Sequence, residues 1–183
     1  MERAFKIAVL GSASTSRDSS EGAKAYRIGQ LIAMEACVLL TGGCTGLPHA
    51  AVDGAAAAGG LTIGISPARN LKEHESLYRY PVDSHVVLFT GMGRKGRNVV
   101  LIRSADACIF LKGGMGTLNE FTIAFHTMGS TCAIGVLVGG GGLTDEIPRL
   151  ASLEARPPYA YFVTETEPEY LLDKILAHLQ SRH

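Results

Sequence analysis

Short apolar runs recur along the chain, and each gives way to a turn and then to a longer segment of helical pattern. About seven such runs can be read, at 5–10, 37–41, 61–66, 85–90, 107–111, 133–138 and 160–163. Several are apolar on both faces, as a strand must be when helices cover it above and below. The segments between them, 21–35, 47–58, 97–104, 117–128, 145–153 and 167–179, carry the helical character. This alternation predicts an α/β chain: a Rossmann-like, doubly wound parallel sheet of about seven strands with helices on both faces. No repeat or shift in composition divides the chain, so residues 1–183 are read as one domain, long enough to bury its own core.

Local signals agree with these bounds. Asp18 and Ser19 are start signals for the first helix, Pro48 for the second, Thr144 for the fifth and Glu167-Pro168 for the last, while Gly59-Gly60 and Gly129 supply stops. The stretch 67–84 has no clear period and is read as a ligand-covering lid or a short irregular helix. At the amino terminus Lys6 interrupts an apolar run too short for a signal peptide, so Met1 to Leu10 is read as leading into the first strand. No apolar stretch approaches membrane-spanning length. The four cysteines show no paired spacing and read as reduced thiols of a cytoplasmic protein.

The 17 basic and 17 acidic residues cancel, which leaves no global field to hold nucleic acid or an anionic membrane. Any anion site must be local, and the 22 glycines show where to look. They cluster in turns after apolar runs, the edge at which open parallel sheets place ligands. Gly11-Ser12-Ala13-Ser14 follows the first run, Gly42-Gly43-Cys44-Thr45-Gly46 the second, Gly91-Met92-Gly93 the fourth and Gly113-Gly114-Met115-Gly116-Thr117 the fifth. A further glycine run, 139–142, follows the sixth. Glycines admit an anion to backbone N–H groups, and a helix start adds unpaired donors and the positive end of its dipole. The Gly113 turn is therefore read as a phosphate cradle. The competing reading makes Thr117 the helix N-cap and Glu120 its capping-box partner, which accounts for those two residues but less well for three glycines.

Other chemistries find little support. No Gly-Lys-Ser/Thr follows either glycine cluster at P-loop spacing, and the G-x-G-x-x-G at Gly91 to Gly96 lacks the acidic residue of a dinucleotide site. Its cations, Arg94, Lys95 and Arg97, are either a solvated basic loop or neighbours of the crevice. The six histidines, His183 included, form no i, i+4 pair, so no metal is expected, and no serine sits in a G-x-S-x-G elbow. Glu120, near a helix start, could cap the helix or stabilise positive charge developing on a ribose.

From Lys112 to Glu120 the chain resembles the LONELY GUY (LOG) family, once labelled possible lysine decarboxylases, whose hallmark is P-G-G-x-G-T-x-x-E. Lys112 stands where that pattern has proline. The stretches 41–47 and 7–14 resemble the family's other glycine motif and its opening strand. The resemblance implies a homodimer or higher homo-oligomer that hydrolyses the N-glycosidic bond of a nucleoside 5′-monophosphate, giving a free base and ribose 5-phosphate, with Glu120 and an arginine catalytic. The family's Arg-Lys pair lies nine positions before the Asp of an Ala-Asp dipeptide. Counting back from Asp106 gives Arg97-Asn98, so Arg97 is the expected catalytic arginine, and Arg94, three residues earlier, is expected to point elsewhere.

Asn98 in place of lysine resembles a branch that includes molybdenum cofactor carrier proteins, which bind a phosphorylated pterin. Two readings stand. Arg97 and Glu120 cleave a nucleotide, or the same cradle binds molybdenum cofactor without chemistry. In both, Gly11, Ser12, Gly42, Gly43, Gly46, Gly91, Gly113, Gly114, Gly116 and Thr117 surround a small phosphorylated ligand across the ends of the first, second, fourth and fifth strands, and no cofactor is required for catalysis. Nothing in the chain resembles a pyridoxal-phosphate lysine site.

Overall fold

The computed structural model describes residues 4–182. Met1 to Arg3, read above with the first strand, and His183 lie outside the described residues. The seven apolar runs are strands β1 (Lys6–Leu10), β2 (Val38–Thr41), β3 (Thr62–Ser66), β4 (Val86–Phe89), β5 (Ala107–Phe110), β6 (Ala133–Leu137) and β7 (Tyr161–Glu165). They form one parallel sheet in the order β4-β3-β2-β1-β5-β6-β7. Its helices, in chain order, are α1 (Ser20–Met34), α2 (Leu47–Ala57), α3 (Leu71–Ser76), α4 (Gly93–Ser104), α5 (Met115–Thr127), α6 (Ile147–Leu153) and α7 (Pro168–Ser181).

Successive strand residues feed opposite cores. Ile7 and Val9 of β1 pack under α1, α2 and α7, while Ala8 and Leu10 pack under α4, α5 and α6. This is the Rossmann-like double winding expected from runs that are apolar on both faces. The layer on the first face is unusually close. A Cβ on Gly29 of α1 would lie 1.9 Å from the Ala51 carbonyl oxygen of α2, and one on Gly54 of α2 would lie 1.9 Å from the Tyr26 carbonyl oxygen. The two helices therefore touch through backbone at these glycines. No helix among the described residues is long and apolar enough to cross a membrane.

Most helix ends follow the local signals. The Ser19 side chain accepts from the Gly22 N–H at 3.1 Å, prolines sit in the first turns of α2 and α7, and Gly59 takes a positive φ just beyond α2. Two signals fail. Thr144 lies inside a 3-10 turn (Leu143–Glu146), and its buried hydroxyl donates to the Leu111 carbonyl at 2.8 Å, tying that turn to the end of β5. The capping box at Thr117 does not form, because α5 begins two residues earlier, at Met115. Thr117 sits in its first turn and Glu120 in its second. Inside the unperiodic stretch 67–84 lies α3, a six-residue helix capped by Asn70, whose side chain accepts from the Glu73 N–H.

The connection after β4 places the site. β4 is one edge of the sheet, and α4 carries the chain back across to β5 beside β1. The connections after β1 and β5 therefore leave in opposite directions. The crevice between them is the switch point at which open sheets take ligands.

Candidate functional site

A cleft of about 520 Å³ opens at this switch point, a size suited to a small molecule. The turn after β1 contributes Gly11, Ser12, Ala13 and Ser14, and the turn after β2 contributes Cys44 and Thr45. The start of α4 brings Arg94, Lys95, Arg97 and Asn98, and the start of α5 brings Gly114, Gly116, Thr117 and Glu120. Tyr78 and Tyr80, between α3 and β4, complete the wall.

The first turn of α5 is open to the cleft. Gly114 occupies its N-cap position and no side chain caps the helix, so its leading N–H groups have no intrahelical acceptor. The glycines here divide by cause. A Cβ on Gly113 would strike Thr117 Oγ1 at 2.2 Å, and one on Gly11 would press on Leu111 Cβ at 3.2 Å, so both are glycine because the chain packs on them. A Cβ on Gly114 or Gly116 would meet nothing within 4 Å, and neither residue has a positive φ. Packing and backbone geometry leave these two unexplained. Their bareness keeps the helix donors accessible from the cleft.

α4 supplies the cations. It begins at Gly93, inside the G-x-G-x-x-G, so Arg94, Lys95 and Arg97 are helical and do not form a loop. Arg94 was expected to point away from Arg97. A step of three residues is close to one full helical turn, which returns the side chain to the same face, and both line the cleft. Arg97 is 5% exposed, and its buried Nη1 has no hydrogen-bond partner among the described residues. It lies where a side chain at Gly42 would be: a Cβ there would come within 1.6 Å of Nη1. Arg94 is exposed and donates from Nε to the Tyr80 hydroxyl at 3.3 Å, with its guanidinium 5.5 Å from the centre of the Tyr78 ring.

Glu120 is the one acid of the cleft lining. Burial pushes its carboxyl up to about 7, against the pull of Arg97 and Lys95. Asn98, buried one turn along α4 from Arg94, has its amide nitrogen facing acceptors when it donates to Glu120 Oε1 at 3.1 Å and to the Arg94 carbonyl at 2.9 Å, its oxygen then facing the Asn119 amide. Burial also pushes the Cys44 thiol up to about 11, so near neutral pH it is a neutral thiol and not a nucleophile.

The remaining glycines expected at the ligand do other things. Gly42 is the seat of Arg97. Gly43 and Gly46 have positive φ and lie outside the cleft lining, and Gly46 meets the Ser12 carbonyl, where a Cβ would come within 2.3 Å. Gly91 also has a positive φ and packs on Arg69. The fourth strand thus reaches the site through α4 and not through its own turn. In the run 139–142 the N–H groups of Gly139 and Gly141 donate to the Asp145 carboxylate at 3.0 and 2.8 Å, so the chain's own acid fills that nest.

The sequence did not single out the tyrosines, and it reached Ser14, Cys44 and Thr45 only as members of the glycine turns. The doublet Tyr78-Arg79-Tyr80 was a usable signal, since an unperiodic polar segment gives aromatic residues no core to fill. It also missed His49, Asp53 and Asp83, whose ligating atoms lie within 4.8 Å of one another. A search for histidine pairs overlooks a His–Asp spacing of four. Arg17 already supplies a cation there, with Nη1 2.5 Å from Asp53 Oδ2 and 3.4 Å from His49 Nε2.

The chain is 39% identical to an uncharacterised protein of Archaeoglobus fulgidus over 100 residues, which take in 55% of this chain and 61% of that relative. It spans about six-tenths of the relative's length. Its structure is similar to that of the molybdenum cofactor binding protein from the phototrophic bacterium Rippkaea orientalis, with 29% identity, a TM-score of 0.76, and 97% of this chain and 98% of that one covered. The Moco carrier protein from Chlamydomonas reinhardtii shares the fold, at 24% identity and a TM-score of 0.77 over 98% and 99% of the two chains. The resemblance to LOG-like proteins, in the branch of the molybdenum cofactor carriers, thus holds at the level of the whole fold. The family model that matches residues 4–154 is that of the SLOG cluster4 family, and the chain belongs to that family.

Proposed function

We propose that the cleft binds a small phosphorylated ligand and holds it without cleaving it, the ligand being a phosphorylated pterin of the molybdenum cofactor type. The observation that carries the phosphate is the pairing of an uncapped helix start, bare at Gly114 and Gly116, with Arg97, a buried cation lining the same cleft whose Nη1 lacks a partner among the described residues. A phosphate oxygen would accept hydrogen bonds from the first N–H groups of α5 and gain the favourable end of its dipole. Arg94, Lys95 and Arg97 against a single acid make the cleft locally cationic in a chain of zero net charge. The similarity to the Rippkaea orientalis protein over nearly its whole length supports a pterin as the rest of the ligand.

Two observations favour holding over cleavage. Glycosidic hydrolysis needs an ionised carboxylate beside the developing oxocarbenium charge. Burial pushes the Glu120 carboxyl up to about 7, and the position facing it on α4 is held by the neutral Asn98 in place of a lysine. The second reading, hydrolysis of a nucleoside 5′-monophosphate, is favoured by the presence of Arg97 and Glu120 in one cleft. There the bond from ribose C1′ to the base nitrogen breaks, water adds at C1′, and the base leaves with a proton.

Titration calorimetry of the purified protein with a phosphorylated pterin and with AMP tests the binding. Arg97→Ala should weaken the affinity about tenfold or more, and by more than Arg94→Ala does, since a charged hydrogen bond contributes about 1.5–3 kcal/mol. The opposite order would overturn the assignment of Arg97. Incubation with AMP and other monophosphates should release no base, and release that disappears in Glu120→Ala would establish the hydrolase.

A further inference from the structure

We propose that Tyr78, Tyr80 and Arg94 form a subsite for a planar heteroaromatic ring, so that the cleft selects phosphate esters that carry such a ring over plain sugar phosphates. This rests on the phosphate reading above and adds the second half of the ligand.

The two tyrosines are half-buried, with ring centres 5.6 Å apart and planes inclined by 41°. They line the same cleft as Gly114 and Gly116. Tyrosines recruited to fill a core would be enclosed, whereas these keep surface in the cleft. Arg94 joins them as a third flat group, over the Tyr78 ring and bonded through Nε to the Tyr80 hydroxyl. That bond orients the guanidinium and leaves its Nη groups to donate to the carbonyl or imine edge of a ring stacked on either tyrosine. Phosphate donors in one part of a small-molecule-sized cleft and two tyrosine rings beside a guanidinium in another describe one such ester.

The surface is also held in place. His74 is fully buried beneath it, with Nδ1 accepting from Ser66 Oγ and Nε2 donating to the Pro81 carbonyl, both at 2.8 Å. Its ring meets Tyr80 edge-on at 5.6 Å. Two residues beyond Pro81, the Asp83 carboxylate pairs with His49 of α2. A preorganised aromatic surface loses little entropy when a ring stacks on it.

Calorimetry comparing AMP, GMP and a pterin monophosphate with ribose 5-phosphate tests the subsite. At least one ring-bearing ester should bind the wild-type protein about tenfold more tightly than ribose 5-phosphate, in keeping with the worth of base–aromatic stacking. Tyr78→Leu should cut that ratio about threefold or more, with an unchanged thermal unfolding midpoint as the control for folding. Tyr78→Phe should keep the ratio. If ribose 5-phosphate binds and no ring-bearing ester binds better, or if Tyr78→Leu and Tyr80→Leu both leave the ratio intact, the ring subsite is wrong and the phosphate reading stands. If none of these phosphates binds, both fall.

Discussion

Arg97 owes its place to the missing side chain at Gly42, a relation that no inspection of the turn 42–46 alone would reveal. In the sequence Gly42 reads as a phosphate ligand because it lies in a glycine cluster after a strand. In the fold it makes room for the cation. The turn at Gly113 was legible because its glycines, its strand and its helix are contiguous. The role of Thr117 was not, because a T-x-x-E pattern cannot show that the helix has already begun. The raised carboxyl of Glu120 has a measurable consequence. From about pH 5 up to about 7 the unfolded chain has lost this proton and the folded chain retains it, so the folded state binds more protons and its stability falls as pH rises, flattening above 7. Glu120→Gln removes that slope. Urea unfolding at about pH 5 and pH 8 should show the wild type losing more stability between the two than the variant does, and equal losses would place Glu120 in an ordinary carboxylate environment.

Elements with a strong apolar period were legible to within a few residues, and those without one were not. α4 was expected to start at Arg97, yet it starts four residues earlier, because the glycines at its head read as a turn. α3 spans only six residues and has too little length to show a period. The packing of the stretch around it depends on one residue the sequence does not single out. His74 joins the end of β3, through Ser66, to the Pro81 carbonyl, and it presses on Tyr80 and Phe89. His74→Ala would remove the bonds to Ser66 and to the Pro81 carbonyl and open a cavity, at a cost of about 3 kcal/mol. A lowered urea midpoint checks the stability. A loss of ring-bearing ligand affinity with ribose 5-phosphate affinity retained would show that the tyrosine wall has come loose.

For the whole molecule, alternating strands and helices implied a doubly wound parallel sheet, and the sheet is one. Strand order was not legible, since any parallel neighbour satisfies a run that is apolar on both faces. The return of α4 from the edge strand to β5 is what gathers basic residues beside the glycine turns, and it is a property of topology. The close crossing of α1 and α2 was equally hidden, because Gly29 and Gly54 look like weak points in helices until the partner backbone is seen against them. Gly29→Ala should destabilise by about 1–3 kcal/mol or more, as overpacking does. Gly129→Ala, where a Cβ meets nothing within 4 Å, should change little, and thermal unfolding of the pair separates the two cases. The groups that line the cleft all fall between Gly11 and Glu120, while β6, β7 and α7 come after them in the chain. Proteins emerge from the ribosome amino terminus first. The whole cleft lining is therefore synthesised before the strands of the opposite edge, β6 and β7, exist.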